Sequence, residues 1–392
     1  MNVRTKSIVA QITAKNLHDF LRPFKKVLSR PKQKHLLTAI KGMIAGSTVV
    51  LSQIGRETEP DIMPKTYCEK LGKSLEEFSK LSNIQLGKAR NVNLELIILD
   101  GGDIQRLYTN KIDAITKVRD GSTCNNNGRG YGLHAAIGMT EQGKYIPLVL
   151  ERYDEQKPAE HNIVTNIISQ LSPHHGAVWV LDRGYDDKKF FHLLLDNDQE
   201  FLVRLTRKAG QRCLQVEDET FLVSELLAHF ENEKVGYRRV KLPNRDEVLT
   251  LIHYQHNKYR EPLALLTTLS PKTQKQAINI AKKYLKRWKI EDYFRFIKQR
   301  FALENIMLHQ PKRVDGLLTL VLIASALIMR LEQKPRDIVL DLEYNHWLKK
   351  NQLSSSWSAF AKFMQEILPF WQITFRTANP PPNPLQLALC WP

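Results

Sequence analysis

Residues 281–301, AKKYLKRWKIEDYFRFIKQRF, decide how the rest of the chain reads. Taken as one continuous helix of about 100° per residue, they place Tyr284, Arg287, Glu291 and Lys298 on one stripe, within an arc of about 60°. The stripe sets a carboxylate beside two cations and a phenol, a combination suited to a metal ion and phosphate oxygens. A merely solvated face would pair Glu with Lys four residues on, and that plainer reading stays open for the segment alone. Ile290, Phe294, Ile297 and Phe301 share another side of the helix, which predicts a core face beside the charged one. Trp288 is expected to pack near the site or at the edge of the core. Between 281 and 300, eight lysines and arginines stand against two acids, a net +6 that predicts phosphate binding with steep salt dependence.

The whole chain shares that bias. Among 392 residues, 58 Lys and Arg face 41 Asp and Glu, a net charge of +17. A chain this basic points to a polyanionic partner, nucleic acid first. With 42% hydrophobic and 25% charged residues it is globular and long enough for two or three domains. Cys68, Cys124, Cys213 and Cys390 are dispersed without a CxxC pair, so neither a zinc site nor a disulfide framework is indicated. They read as free thiols in a reducing compartment. The N-terminus lacks the apolar run of a signal peptide. The longest apolar stretch, Gly316 to Met329, is shorter than the roughly 20 residues of a membrane span. It predicts a buried core helix, a cytoplasmic protein and no membrane partner.

Residues 1–90 read as helical and basic, with Leu36, Leu37, Ile40, Met43 and Ile44 at helical spacing behind Lys25, Lys26, Arg30, Lys32 and Lys34. A DNA-binding domain and a plain helical cap would both look like this. Pro64 is expected to open a short helix, and Ser74 with Glu77 to cap a second. From residue 94 strands and helices alternate: strands at 94–100, 134–139, 145–150, 177–182 and 201–205, helices at 159–171 and 186–196. That rhythm predicts an α/β domain with parallel pairings. Residues 209–262 break it and read as an inserted, mostly β subdomain, with strands at 237–242 and 248–254 around a turn at Pro243–Asn244. A strand at 263–266, a long helix from Lys272 and helices near 311–334 and 355–368 follow, then an extended proline-rich tail at 380–384. The expected division is 1–90, a core of 91–208 with 263–335, the insertion 209–262, and a C-terminal region 336–392.

Asp100 and Asp182 each end an apolar strand. At the carboxyl ends of adjacent parallel strands they would share a crevice, and Glu291 on a packed helix would complete a triad. Such hard oxygen ligands suit Mg²⁺ or Mn²⁺, and two ions together can activate an attacking hydroxyl and stabilise a leaving oxygen. Arg287 and Lys298 would bind the phosphate. Each Asp also has a plainer reading, since Asp before Gly101–Gly102 or Arg183–Gly184 is a turn former. Asp103, Asp154 and Asp186 are rival ligands, Asp103 being read as a turn or N-cap residue. His134, His161, His174 and His175 show no metal-ligand spacing and are expected at the surface or as caps. Gly128–Gly132 (GRGYG) lacks the GK[ST] ending of a phosphate loop and predicts a flexible loop, with Asn125–Asn127 in support.

Tyr284-x2-Arg287-x3-Glu291-x6-Lys298 resembles the signature helix of insertion-sequence-four transposases, a group of bacterial DDE recombinases. Asp100 in IILDGGDIQR and Asp182 in VLDRGYDD resemble the group's first two catalytic aspartates. The 109 residues from Asp182 to Glu291 leave room for the group's β insertion. The resemblance covers roughly residues 30–335 in order. It implies an RNase H-like mixed sheet flanked by helices, with an inserted mostly β subdomain and a helical N-terminal domain. Asp100, Asp182 and Glu291 become the catalytic residues and ligands of two Mg²⁺ or Mn²⁺ ions. Tyr284, Arg287 and Lys298 become contacts to DNA ends, beside Lys286 and Arg295 of the basic stripe. The implied reaction is cleavage at terminal inverted repeats and strand transfer into target DNA. It would be cut-and-paste, in some members through hairpin ends, by a homodimer in a synaptic complex on the nucleoid. Two features depart from the group. Gly101–Gly102 stands where many members carry Thr, Ser or Trp. The insertion also lacks the tryptophan that would hold a flipped base, leaving Tyr237, Tyr254 or Tyr259 as substitutes or as strand-packing residues. A structure-selective nuclease on the same core and a non-catalytic, transposase-derived DNA-binding repressor are the alternatives.

Overall fold

The computed structural model describes residues 3–105, 115–120, 125–153, 159–171, 176–206, 212–257, 261–333 and 338–370. Five helices open the chain: α1 (Val3–Lys25), α2 (Arg30–Gly46), α3 (Leu51–Thr58), α4 (Pro64–Phe78) and α5 (Ser82–Lys88). The apolar stripe from Leu36 to Ile44 is buried in α2, as its periodicity predicts. Pro64 opens α4, where its missing N–H costs no helical bond. The expected second cap is absent, because α4 runs straight through Ser74. The Ser74 hydroxyl donates back to the Lys70 carbonyl and meets Nδ1 of His35, so it serves the helix interior instead.

The sheet begins with β1 (Leu94–Gln105), β2 (Thr116–Asp120), β3 (Asn125–Thr140) and β4 (Tyr145–Tyr153). Helix α6 (Ala159–Leu171) leads to β5 (Val178–Leu181), and α7 (Lys188–Asp196) leads to β6 (Phe201–Arg204). β3 pairs antiparallel with β1 and β4, whereas β5 lies parallel to both β1 and β6. β1 is longer than the apolar run implies, so Asp100 lies within it, opposite Ala135, and not at its end. Asp103 faces Gly132 in the same ladder and is neither a turn nor an N-cap residue. The segment Gly128–Gly132, with Asn125–Asn127, is strand and not loop. Its glycines permit close approach: a side chain at Gly130 would strike the Ile104 carbonyl, and one at Gly132 the Tyr153 ring. His134 is buried on β3 with its ring 4.7 Å from that of Tyr153. Burial pushes its pKa down to about 4, which keeps a core histidine neutral where a surface one was expected.

Beyond β6 come β7 (Cys213–Val216), β8 (Glu219–Leu222), α8 (Val223–Ala228), β9 (Val235–Val240), β10 (Leu249–Tyr254) and β11 (Leu263–Thr267). β7 and β8 form a separate two-stranded hairpin. β9 and β10 continue the main sheet through β11, giving the order β2-β3-β1-β5-β6-β11-β10-β9 with β4 on β3. Antiparallel strands β4, β3 and β1 followed by parallel β5 and β6 form the RNase H-like arrangement. One face of the sheet packs Trp179, Phe201, Leu251 and Leu266 against Phe190, Phe191 and Leu226 of α7 and α8. Asn244 takes φ 65° in the β9–β10 turn, a conformation Asn tolerates well. Tyr254 is buried and Tyr237 half-buried, as strand-packing residues would be.

Five α-helices follow among the described residues: α9 (Gln274–Leu285), α10 (Trp288–Phe301), α11 (Pro311–Gln333), α12 (Ile338–Lys350) and α13 (Trp357–Ile367). The single helix expected over 281–301 is thus two, broken at Lys286–Arg287. α11 has the length and apolar composition of a membrane span, yet 89% of that window is buried inside the protein. α12 has no counterpart among the expected helices; it is held by Tyr344, whose ring packs on Trp347, Phe360 and Phe363. By backbone packing the chain forms two compact units, 1–74 with 300–305 and 324–392, and 75–299 with 306–323. The nine-stranded sheet lies in the second. Cys68 and Cys213 are free thiols. Asp154, His174, His175, Tyr259, Cys124, Cys390, the side chain of His161 and the tail at 380–384 lie outside the described residues.

Candidate active site

Parallel strands carry their carboxyl ends in one direction, and two aspartates occupy that end. Asp182 directly follows β5, whose Val180 pairs with Ile98; Asp100 lies two residues beyond Ile98 on β1. The Gly101 N–H donates to Asp100 Oδ1 at 2.9 Å. Gly102 backs onto the Phe294 ring, where an added Cβ would stand 2.9 Å from the ring edge. Gly102 therefore lets α10 close onto β1 beside the carboxylate, a physical reason for the second glycine of the departure noted above.

The break between α9 and α10 delivers the third carboxylate. Bonds from the N–H of Lys286, Arg287, Lys289 and Ile290 reach back three residues each, at 2.9–3.0 Å, tightening the turn. Tyr284 at the end of α9 then donates its hydroxyl to Asp182 Oδ1 at 3.0 Å. Arg287 donates Nη1 to Asp100 Oδ2 at 2.6 Å and Nη2 to Glu291 Oε1 at 2.7 Å. Asp100, Asp182 and Glu291 are thus brought together, each held by a member of the sequence stripe. Trp288 is 48% exposed, with its ring 5.5 Å from the Arg287 guanidinium, and so stands near the site, the first of its two expected places.

Burial dominates the electrostatics. It pushes Asp100 up to about 6 from its ordinary 3.8; Arg287 opposes this, and the charges of Asp182 and Glu291 add to it. Burial beside Asp182 likewise raises the Tyr284 phenol, which stays a protonated donor. Burial alone would lower Arg287, but Tyr284, Asp100, Asp182 and Glu291 together hold it above its ordinary value. For Asp100 the shift has a stability consequence. Between about pH 4 and pH 6 the folded chain keeps a proton that the unfolded chain has released, so raising the pH through that window costs stability. In chelator at pH 8, Asp100→Asn is expected to stabilise the fold by about 1–3 kcal/mol. Urea denaturation should show the gain vanish near pH 4; an unchanged or lower stability at pH 8 would contradict the strained carboxylate.

Other expected contacts divide. Lys298 is half-buried two turns beyond Glu291 and makes no ion pair among the described residues. Arg295 turns to Asp292, which Lys289 also engages, and both cations are exposed. Lys286 is exposed in the turn. Asp186 is bonded instead to Arg212 and to the Thr206 N–H, away from Tyr284 and Arg287. Sequence reading missed Arg204, the last residue of β6, which sits beside β5 at the same sheet end. Its charge acts on Tyr284, and among the described residues no carboxylate pairs with it. The only signal was a cation closing the apolar run FLVR.

Residues 94–327, more than half of the chain, match the family described as Transposase DDE domain. The chain belongs to this family. No curated protein matches it. The matched span runs from β1 into α11 and contains all three carboxylates. DDE transposases generally use divalent metal ions. The donor set here fits such an ion in chemistry: three carboxylates supply only hard oxygens, and one bonded guanidinium leaves their charge in surplus. Among the described residues no three acidic, histidine or cysteine side chains already stand close enough to hold a metal. Arg287 lies between Asp100 and Glu291 instead.

Proposed function

We propose that this transposase, a member of the insertion-sequence-four group, cuts DNA at the terminal inverted repeats of its own element and joins the freed ends to target DNA. Asp100, Asp182 and Glu291 would hold two Mg²⁺ or Mn²⁺ ions and serve as the catalytic residues. The observation that carries this is the convergence of three carboxylates from β1, the end of β5 and α10 through Tyr284 and Arg287. When bound, the ions would supply the Lewis acidity that activates an attacking hydroxyl and carries charge on the leaving oxygen. The protein's own residues do the rest. Tyr284 orients Asp182, while Arg287, Lys298 and Arg204 neutralise the phosphate, with Lys286 and Arg295 contributing farther out. The exposed indole of Trp288 offers a face on which an unpaired base can stack, so an aromatic from the insertion is not required for a hairpin route.

The helical basic region, residues 1–90, would read the repeats, with the core at 91–208 and 263–335, the insertion at 209–262 and the C-terminal region from 336 around it. Two protomers would pair two ends in a synaptic complex, in the cytoplasm on the nucleoid. The test is strand transfer: pre-cut, labelled repeat ends are mixed with a supercoiled plasmid in Mg²⁺. Joined products support cut-and-paste transposition. Cleavage of branched DNA without joining means a structure-selective nuclease, and binding with neither means a repressor. In the same binding assays, Lys298→Ala and Arg204→Ala should each lower the salt slope by about one unit. Arg295→Ala, exposed and already paired with Asp292, should lower it less; equal slopes for all three would count against the assigned phosphate contacts.

A further inference from the structure

We infer that Arg287 is a resident counter-ion that makes metal loading of the carboxylates conditional on a DNA phosphate. The inference rests on the proposed role of Asp100, Asp182 and Glu291. Its guanidinium uses two different amino groups to span two carboxylates, at 2.6 Å to Asp100 and 2.7 Å to Glu291. The Arg287 side chain is only 9% exposed. Its Nε is buried without a hydrogen-bond partner, so the grip is made by the two outer nitrogens alone. Asp182 is held differently, by the neutral Tyr284 hydroxyl. A lysine would offer one rotatable ammonium in place of this planar fork and hold the pair less rigidly.

A divalent ion held by Asp100 and Glu291 would compete for the two carboxylates that Arg287 already grips, at Oδ2 of Asp100 and Oε1 of Glu291. Two cations cannot hold them together without strong repulsion. Loading an ion there would therefore favour release of the guanidinium from at least one of the two carboxylates. On one side the guanidinium already meets the exposed Trp288 ring, 5.5 Å away. A guanidinium freed there presents its fork to a phosphate. Linkage makes the coupling reciprocal: whatever affinity a phosphate gains from metal loading, the metal gains from phosphate binding. Without DNA the carboxylates stay satisfied by Arg287 and load metal poorly, which protects against indiscriminate cutting.

The test is Mn²⁺ binding to the full chain, read from the free-Mn²⁺ electron paramagnetic resonance signal, with and without a duplex ending in the element's terminal repeat. Wild type should bind Mn²⁺ weakly alone and about tenfold more tightly with the duplex. Arg287→Gln should bind tightly without DNA and lose the duplex effect. Arg287→Lys, which keeps the charge and loses the fork, should shift in the same direction by less. Arg287→Gln binding no tighter than wild type, while Glu291→Gln binds more weakly, overturns the coupling and leaves the triad standing. Glu291→Gln binding as wild type does overturns the triad itself and the coupling with it.

Discussion

Glu291→Gln is expected to abolish end cleavage, lowering its rate by at least about a thousandfold, while repeat binding changes by less than about twofold. The amide keeps the size of the side chain, and its oxygen still accepts from Arg287 Nη2, so the start of α10 retains its shape. What disappears is the charge a hard divalent ion requires. Asp182→Asn should behave the same way, since its amide oxygen still accepts from Tyr284. Asp100→Asn should lose cleavage yet gain stability, because ionised Asp100 is the strained member of the group. Cleavage of labelled duplex and gel retardation in parallel check all three. A folded Glu291→Gln protein that cuts normally would remove Glu291 from the site.

The second large effect falls on stability. Asp186→Ala should cost about 3–5 kcal/mol, because it leaves a buried cation uncompensated. The side chains of Asp186 and Arg212 are 5% and 11% exposed. Arg212 donates Nε to the Asp186 carboxylate and Nη2 to the Asp186 carbonyl, with its guanidinium stacked 4.7 Å from the Phe191 ring. The other carboxylate oxygen accepts from the Thr206 N–H at 2.8 Å. Asp186 thereby fastens the turn after β5 to the segment leaving β6. Replacing both partners, Asp186→Leu with Arg212→Met, should recover much of the loss, since paired removal leaves no orphan charge. Urea denaturation of the single and double variants measures this. An Asp186→Ala protein of normal stability that no longer binds Mn²⁺ would make Asp186 a ligand after all.

Asp186 also marks what a sequence reveals and what it does not. The apolar runs at 94–100, 177–182 and 201–205 announce buried strands, and the four-residue pattern from Tyr284 to Lys298 announces the carboxylate's company. Choosing among acids is harder: Asp103, Asp182 and Asp186 lie in similar local sequence, and only Arg212, far along the chain, marks Asp186 as structural. The α9–α10 break was illegible for the same reason. No proline or glycine interrupts 281–301, and the turn is accompanied by tertiary bonds from Tyr284 and Arg287 to aspartates more than a hundred residues away. Gly128–Gly132 looks like a loop until Ile104 and Tyr153 are seen pressing on it. His134 and Arg204 were misjudged or missed because burial and exposure in a sheet depend on which strands meet there.

The most direct single measurement is the action of the wild-type chain on a labelled duplex carrying the element's terminal repeat, in Mg²⁺ and in EDTA. Cuts at the repeat boundary that appear in Mg²⁺ and vanish in EDTA are the predicted result. Boundary cuts that persist undiminished in EDTA would contradict a carboxylate site built to hold metal.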